Sequence, residues 1–291
     1  MSNSNSLNSG LQSGFHQGVK TGMSFSPMYS GLRNGYINGL GKHDKLQDPT
    51  VALGFNTNRR PVVFWLADYA VFSGTTLTTL YNLVPNGDAL TIASSPAYID
   101  NGLLNNRSYI DFNSAADRIY TVNNVVSGQS ELTVTMLVKL TSASTTKLFW
   151  KVDSTFSSTV GDFYIESVGG TKVRVTLIGN PTTTSAVYDT YAPITGQWFI
   201  LTVKVRLNQP QGPGSELEIY VNGTKNQTPI TTTFGASAST FVADGVVFGN
   251  NVSATEGGSQ IAGAFVATYY LNSIEQIRIE NFFRWFYGYR F

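Results

Sequence analysis

From residue 61 onward the chain breaks into short apolar runs separated by turn residues, the pattern of strands in a layered β protein. Ten such runs succeed one another, at 61–72, 107–112, 131–140, 147–152, 162–168, 172–179, 197–207, 216–223, 245–250 and 263–271. The run ELTVTMLVKL alternates: Leu132, Val134, Met136, Val138 and Leu140 fall on one face, Thr133, Thr135 and Lys139 on the other. Leu137 breaks the alternation. The segments VGGT, NPTT, NQPQGPG and VNGT punctuate the runs. Regular short strands with almost no helix predict an all-β, two-sheet antiparallel sandwich. One helix is expected, at the C-terminus. Ser273 and Gln276 have capping-box spacing, and Glu275 suits the first turn. Ile279, Phe282, Phe283 and Phe286 then share a face expected to close one edge of the sandwich, opposite Glu280, Asn281 and Arg284. Trp285, Tyr287, Tyr289 and Phe291 are surplus aromatics that suit an intersubunit contact.

Residues 1–60 read differently. They are rich in Gly, Ser and Asn and hold no sustained period of 2 or 3.6. By themselves they bury too little surface to offset the entropy of ordering. Yet Phe15, Phe25, Met28, Tyr29, Leu32, Tyr36, Ile37 and Leu40 recur through them like anchors, which a flexible spacer does not need. The expected division is an extended N-terminal assembly arm, 1–60, and a sandwich, 61–291. The arm's candidate anchors are Phe15, Phe25, Tyr29 and Tyr36.

Charge refines this division. Charged residues are only 13% of the chain, and the net charge is +1. The low charge suits strands and turns better than exposed helices. No global field points to nucleic acid or to an anionic membrane. The arm is locally +4 (Lys20, Arg33, Lys42, Lys45, Arg59 and Arg60 against Asp44 and Asp48), so the remainder is −3. There is no cysteine, which removes thiol catalysis, disulfides and Cys-based zinc sites. The first residues have neither a basic start nor an apolar stretch, so no export signal is expected. No apolar run approaches the ~20 residues of a membrane span. The sequons at Asn106, Asn222, Asn226 and Asn251 are expected to be chance in a chain this rich in Asn, Ser and Thr.

The order of segments resembles the concanavalin A-like, laminin-G-like jelly-roll superfamily over about 230 residues. Gly196-Gln197-Trp198 opens one strand, and Tyr220-Val221-Asn222-Gly223 ends its partner in a hairpin. Val247-Phe248-Gly249 matches the next short strand, and 264–287 matches the closing strand, cap and helix. Upstream, FWLADYA and the stretch from NLVPNGDAL to YIDF are similar to the opening of such modules in phage and bacterial surface proteins. Asn-Gly has its own physical reason, since it supplies the positive φ angles of a type I′ turn. The resemblance implies a binding scaffold and names no ligand. It also implies that Trp198 is a buried core-strand residue.

Chemistry is sparse. The two histidines, His16 and His43, both lie in the arm, so a Ser-His-Asp site on the body lacks its base. Glycosidases of the concanavalin A-like fold alternate their carboxylates on one strand in a Glu-x-Asp-x-x-Glu pattern. Glu216 and Glu218 share that i, i+2 spacing, but Ile219, Tyr220 and Val221 follow with no third acid. Calcium needs six to eight converging oxygens, whereas Asp100, Asp111, Asp117, Asp153, Asp162 and Asp244 are scattered. The expectation is therefore no catalytic residues, no metal and no cofactor. A glycan site would use aromatics with nearby Asn, Asp and Gly in loops; the candidates are Tyr98, Tyr188 and Tyr191.

Taken together, the sequence reads as a non-enzymatic virion structural protein: a capsid-associated, decoration, spike or fibre subunit. It would attach through its arm to other virion proteins and to itself, in a cyclic homo-oligomer such as a trimer. The expected place is the capsid or tail surface, and otherwise an extracellular surface. No membrane insertion and no specific nucleic-acid partner are expected. The alternative is a carbohydrate-binding or adhesion module on a bacterial or phage surface, with host glycan as its partner.

Overall fold

The computed structural model describes residues 53, 59–100, 102, 106–114, 116–141, 146–152, 163–169, 172–178, 184–191, 196–207, 217–226, 228–229, 240–241, 245–249 and 258–289. The expected arm anchors Phe15, Phe25, Tyr29 and Tyr36 lie outside the described residues, as do His16 and His43. The chain divides into two units, Met1–Gly54 and Phe55–Phe291. The sandwich lies wholly in the second. Arg59, on the arm side of the boundary expected at residue 60, is tied into it. Its Nη2 donates to the Tyr270 carbonyl at 2.9 Å, Nη1 pairs with Glu275 at 3.2 Å, and the guanidinium lies 4.5 Å from the Tyr269 ring centroid.

Two antiparallel sheets form the sandwich. The larger runs β15 (Thr224–Lys225), β14 (Leu217–Val221), β13 (Trp198–Arg206), β8 (Glu131–Leu140), β18 (Ser259–Ala267), β6 (Tyr109–Phe112), β5 (Ala97–Ile99), β3 (Thr76–Leu80) and β2 (Ala70–Ser73). A further strand, β1 (Val63–Leu66), pairs with the second half of β18. The smaller sheet runs β16 (Thr228–Pro229), β12 (Thr184–Tyr191), β11 (Lys172–Ile178), β10 (Phe163–Val168), β9 (Thr146–Val152), β17 (Gly245–Gly249), β7 (Arg118–Thr121) and β4 (Leu90–Ala93). All ten runs of the sequence pattern contain strands. The run 61–72 holds two strands, β1 and β2, and the pattern does not reveal the short β3–β5, β7, β15 and β16, nor β12, whose polar residues carry no strand signal.

Between the sheets lies one apolar core. The larger sheet contributes Trp65, Ile110, Phe112, the even-numbered row of β8 from Leu132 to Leu140, and Phe199, Leu201, Val203 and Val205. The smaller sheet contributes Phe149, Ile165, Val173, Val175 and Phe248. Trp65 and Phe149 both meet Phe248 edge-on, at 5.5 and 5.3 Å. Such rings bury the largest area per residue and favour this geometry. Gly249 closes the Val-Phe-Gly strand at φ +90°, and a Cβ there would collide with the Phe112 ring. Only glycine meets both conditions. The Asn222-Gly223 hairpin also forms as the sequence implies, with φ 53° and 86°. The Asn222 side chain accepts the Ile200 amide at 2.9 Å.

The single α-helix among the described residues, α1, spans Ser273–Tyr287. Its cap sits one residue earlier than the spacing predicts. Asn272 accepts from the amides of Ile274 and Glu275, and Glu275 accepts the Asn272 amide at 2.9 Å. That is a reciprocal capping box with Asn272 in place of Ser273. Gly288 ends the helix at φ 73°. Asn272→Ala should cost about 1 kcal/mol of unfolding free energy, measurable by denaturant titration, whereas Ser273→Ala should be close to neutral.

The expected position of the helix needs correction. It does not close an edge; it lies on the outer face of the larger sheet. Phe64 meets Phe265 at 6.1 Å and Phe282 at 5.7 Å. A Cβ on Gly263 would come within 3.0 Å of the Phe283 ring, so β18 and α1 are in close contact. Leu66, Leu137, Ile200, Phe265, Ile279 and Phe283 are all fully buried, yet none belongs to the core between the sheets. They form a second apolar layer. This explains Leu137, the residue that breaks the alternation, and it explains why Thr133, Thr135 and Thr202 on that face are fully buried.

Candidate functional site

The helix covers only part of the outer face of the larger sheet. Two groups of polar and aromatic side chains occupy the strand positions toward either end. Strand pairing fixes both, because residues directly opposite each other project from the same face.

The first group surrounds Glu218, the described member of the acid pair. β13 pairs with β14 so that Lys204 faces Glu218 and Thr202 faces Tyr220. Glu218 Oε1 accepts from Lys225 Nζ at 2.7 Å. Oε2 accepts from the hydroxyls of Tyr220, at 3.0 Å, and Tyr270, and lies 3.4 Å from Lys204 Nζ. Lys204 Nζ also sits 4.7 Å from the centroids of both tyrosine rings and donates to the Leu271 carbonyl at 3.3 Å. Arg206 stacks on Tyr270 at 4.1 Å and bonds Glu131, whose other oxygen accepts the Tyr270 amide. Burial pushes the Glu218 carboxyl up, but the donors from Lys225, Tyr270 and Tyr220 and the charge of Lys204 outweigh it and hold the group down at about 2. Burial lowers Lys204, partly offset by Glu218. A general acid needs a proton to give near neutral pH. A carboxylate fixed in the ionised form, with both oxygens occupied, has none. Glu216 lies outside the described residues.

The second group lies toward the opposite end of the same face. Trp198 of β13 pairs with Lys139 of β8, Lys139 with Gln260 of β18, and Gln260 with Asp111 of β6. These four form one row across four adjacent strands. Tyr109 stands two residues from Asp111, and its ring meets Trp198 edge-on at 5.4 Å. Tyr289, just past the helix, lies 6.3 Å from Trp198. Lys139 Nζ is 5.3 Å from the Trp198 centroid and 5.6 Å from that of Tyr109. The amide of Gln260 serves the Asp111 carboxylate and the Tyr109 hydroxyl. Its Oε1 is buried without a partner. Burial raises Asp111 against Gln260 and Lys139, and lowers Lys139 against Asp111. Trp198 is buried, as the resemblance implied, at 8% exposure, but it faces the helix side of its strand and not the core between the sheets. Sequence spacing offered no signal for this row, because its members lie up to about 150 residues apart and meet only through strand register.

The remaining candidates are dispersed. Tyr98 is only 5% exposed. Phe72 stacks on it at 4.1 Å, and its hydroxyl donates to Ser108, which donates on to Asp100. Tyr188 and Tyr191 belong to β12, but their side chains lie outside the described residues. Asp117 accepts the Ser114 amide, and Asp153, Asp162 and Asp244 lie outside the described residues. Among the described residues no group of three His, Asp or Glu is placed to hold a metal ion. No helix among them is long and apolar enough to cross a membrane.

A second, half-buried ionic cluster forms at the short Ala67–Tyr69 turn. Asp68 pairs with Arg107 at 3.5 Å, and the Arg107 guanidinium lies 3.9 Å over the Phe286 ring and donates from Nε to the Phe286 carbonyl. Burial pushes the Asp68 carboxyl up to about 6, against Arg107 and the amide of Ser108. Its Oδ2 has no partner.

Two antiparallel sheets, one carrying a helix on its outer face, define the chain as a β-sandwich domain. No protein-family model matches the sequence, and no curated protein matches it. Solved structures do. The binding domain of botulinum neurotoxin serotype C1 is similar with a TM-score of 0.53 at 12% identity, over 78% of this chain and 52% of that one. The receptor-binding domain of the C/D mosaic serotype gives 0.51 at 12% identity, over 75% and 50%. The binding domain of botulinum neurotoxin DC in complex with SialylT gives 0.50 at 10% identity, over 76% and 50%. This chain thus spans about half the length of the structures it matches. At these identities the likeness is one of fold: all three contain a β-sandwich like this one.

Proposed function

We propose that this protein is a non-enzymatic surface subunit of a virion, on a capsid or tail, that attaches through its N-terminal arm and displays a laminin-G-like sandwich. The observation that carries the non-catalytic reading is the state of Glu218. On the strand where glycosidases of this fold place their acids, the described carboxylate is clamped by Lys225, Tyr220 and Tyr270 and is held at about 2. Attachment through the arm rests on its composition: aromatic anchors spaced along a Gly/Ser/Asn-rich basic segment need a partner surface to repay ordering.

The test is truncation. A chain beginning at Asn58 keeps Arg59 and its contacts with Tyr269, Tyr270 and Glu275. It should unfold cooperatively and run as a monomer on light scattering, while the full chain forms a homo-oligomer. An oligomer of the same size in both would overturn the arm's role. A second reading, a carbohydrate-binding module on a phage or bacterial surface, is favoured by one observation, the row of Trp198, Lys139, Gln260 and Asp111 walled by Tyr109 and Tyr289. The two readings are compatible, since a displayed sandwich can bind host glycan.

A further inference from the structure

We propose that this row is a binding site for a neutral pyranose unit of a glycan, an inference that rests on the carbohydrate-binding reading. The chemistry is that of a hydroxylated ring with one apolar face. Tyr109 and Tyr289 are half-buried aromatic rings that both pack on Trp198. Small-ligand sites combine such apolar walls with a few placed polar groups. Here those groups are Asp111, Gln260 and Lys139, in register on adjacent strands. Asp111 is half-buried and, as a carboxylate, has lone pairs beyond the one that Gln260 occupies. Lys139 is a donor held by ring faces and by the charge of Asp111.

Gln260 is the second, independent sign. It is more than nine-tenths buried, and its Oε1 accepts nothing although its amide is engaged. An acceptor buried without a donor is costly to the fold alone. The atom is closed to the surface, so a ligand hydroxyl would supply the missing donor as the side chains over it part. Both acceptors, Asp111 and Gln260, call for hydroxyl donors. An acidic sugar would set its carboxylate against Asp111, with Lys139 already paired to that charge, so the site selects neutral rings.

The experiment uses the full chain on a printed panel of neutral glycans ending in glucose, galactose, mannose or N-acetylglucosamine, beside sialylated and uronic-acid counterparts. At least one neutral class should bind. Asp111→Asn, Tyr109→Ala and Gln260→Leu should each weaken that binding at least about tenfold, the loss expected when a hydrogen bond to a charged group or a stacking wall is removed. Gln260→Leu also removes the donor that Asp111 and Tyr109 share, so its Tm falls whether or not a ligand uses the residue. What separates ligand from scaffold is the shift on adding glycan: saturating neutral glycan should raise the Tm of the parent and leave that of Gln260→Leu unmoved, whereas an equal rise in both would give Gln260 a purely structural role. The site is overturned by a silent panel, by binding confined to acidic glycans, or by affinity that survives all three substitutions. None of these outcomes touches the attachment reading, which fails only if the truncated and full chains assemble alike.

Discussion

Glu280→Ala should cost about 3–5 kcal/mol of unfolding free energy, the loss typical of removing one member of a buried ionic network. For a body of this size that is a fall in Tm on the order of 10 °C. Glu280 is 1% exposed on the inner side of α1. Its Oε1 accepts from Thr202 of β13 and from Gln276 one turn earlier, both at 2.9 Å. Its Oε2 lies 3.6 Å from Arg284, which donates to the Asn222 carbonyl of the hairpin at 2.7 Å. Thr202 shares a bond with Thr135 at 3.2 Å. Truncation to alanine therefore leaves the Thr202 hydroxyl, the Gln276 amide and the Arg284 guanidinium short of an acceptor, in a layer packed between helix and sheet. Glu280→Gln keeps an acceptor for Thr202 and should cost much less. Chemical denaturation of the two variants beside the parent decides the matter. A near-zero loss in the alanine variant would show that the helix is held by its aromatic face alone.

The second large effect is in pH. Asp68 titrates at about 6 in the folded body against 3.8 when solvated, because burial outweighs Arg107. Between those two values the folded state holds a proton that the unfolded state has released. Stability from this group is therefore full below about pH 4 and is lost as pH rises through 6. By linkage the swing is on the order of 3 kcal/mol. Glu218 acts in the opposite direction. Its folded value of about 2 lies below the solvated 4.5, so its contribution is present above about pH 4.5 and is lost as pH falls toward 2. Stability should peak near pH 4–5, where neither loss has progressed far. Asp68→Asn should raise stability at pH 7 and flatten the decline between pH 4 and 7, leaving the acid limb intact. Tm measured across pH 3–8 for parent and variant tests this. An unchanged profile in Asp68→Asn would assign the decline to another group.

Much of the fold was legible along the chain. The alternation of β8, the Trp198 strand paired to one ending in Asn222-Gly223, the Val-Phe-Gly strand and the C-terminal helix all stand where local pattern places them. These are features a strand or helix determines by itself, through periodicity of 2 or 3.6 and through turn residues that tolerate positive φ. The cap shifts by one residue because Asn272 and Ser273 are both competent caps, and the geometry of the entering chain chooses between them. The short strands escape the pattern because two to five residues carry too little periodicity to read, and β12 because its polar residues hide its pairing with β11.

What sequence alone determined about this protein is therefore its layered β class, its C-terminal helix and the poverty of its catalytic inventory. Tertiary structure decided which faces are wet. Thr133, Thr135 and Leu137 read as two polar residues and an error; under the helix they become one buried layer with a hydrogen-bonded seam. It also decided the fate of Glu218, which in sequence looks like half of an acid pair and in space is the centre of a clamp. It assembled Asp111, Lys139, Trp198 and Gln260 into one row. Strand register and helix docking are long-range choices, set by how faces pack together, and no local window of residues contains them.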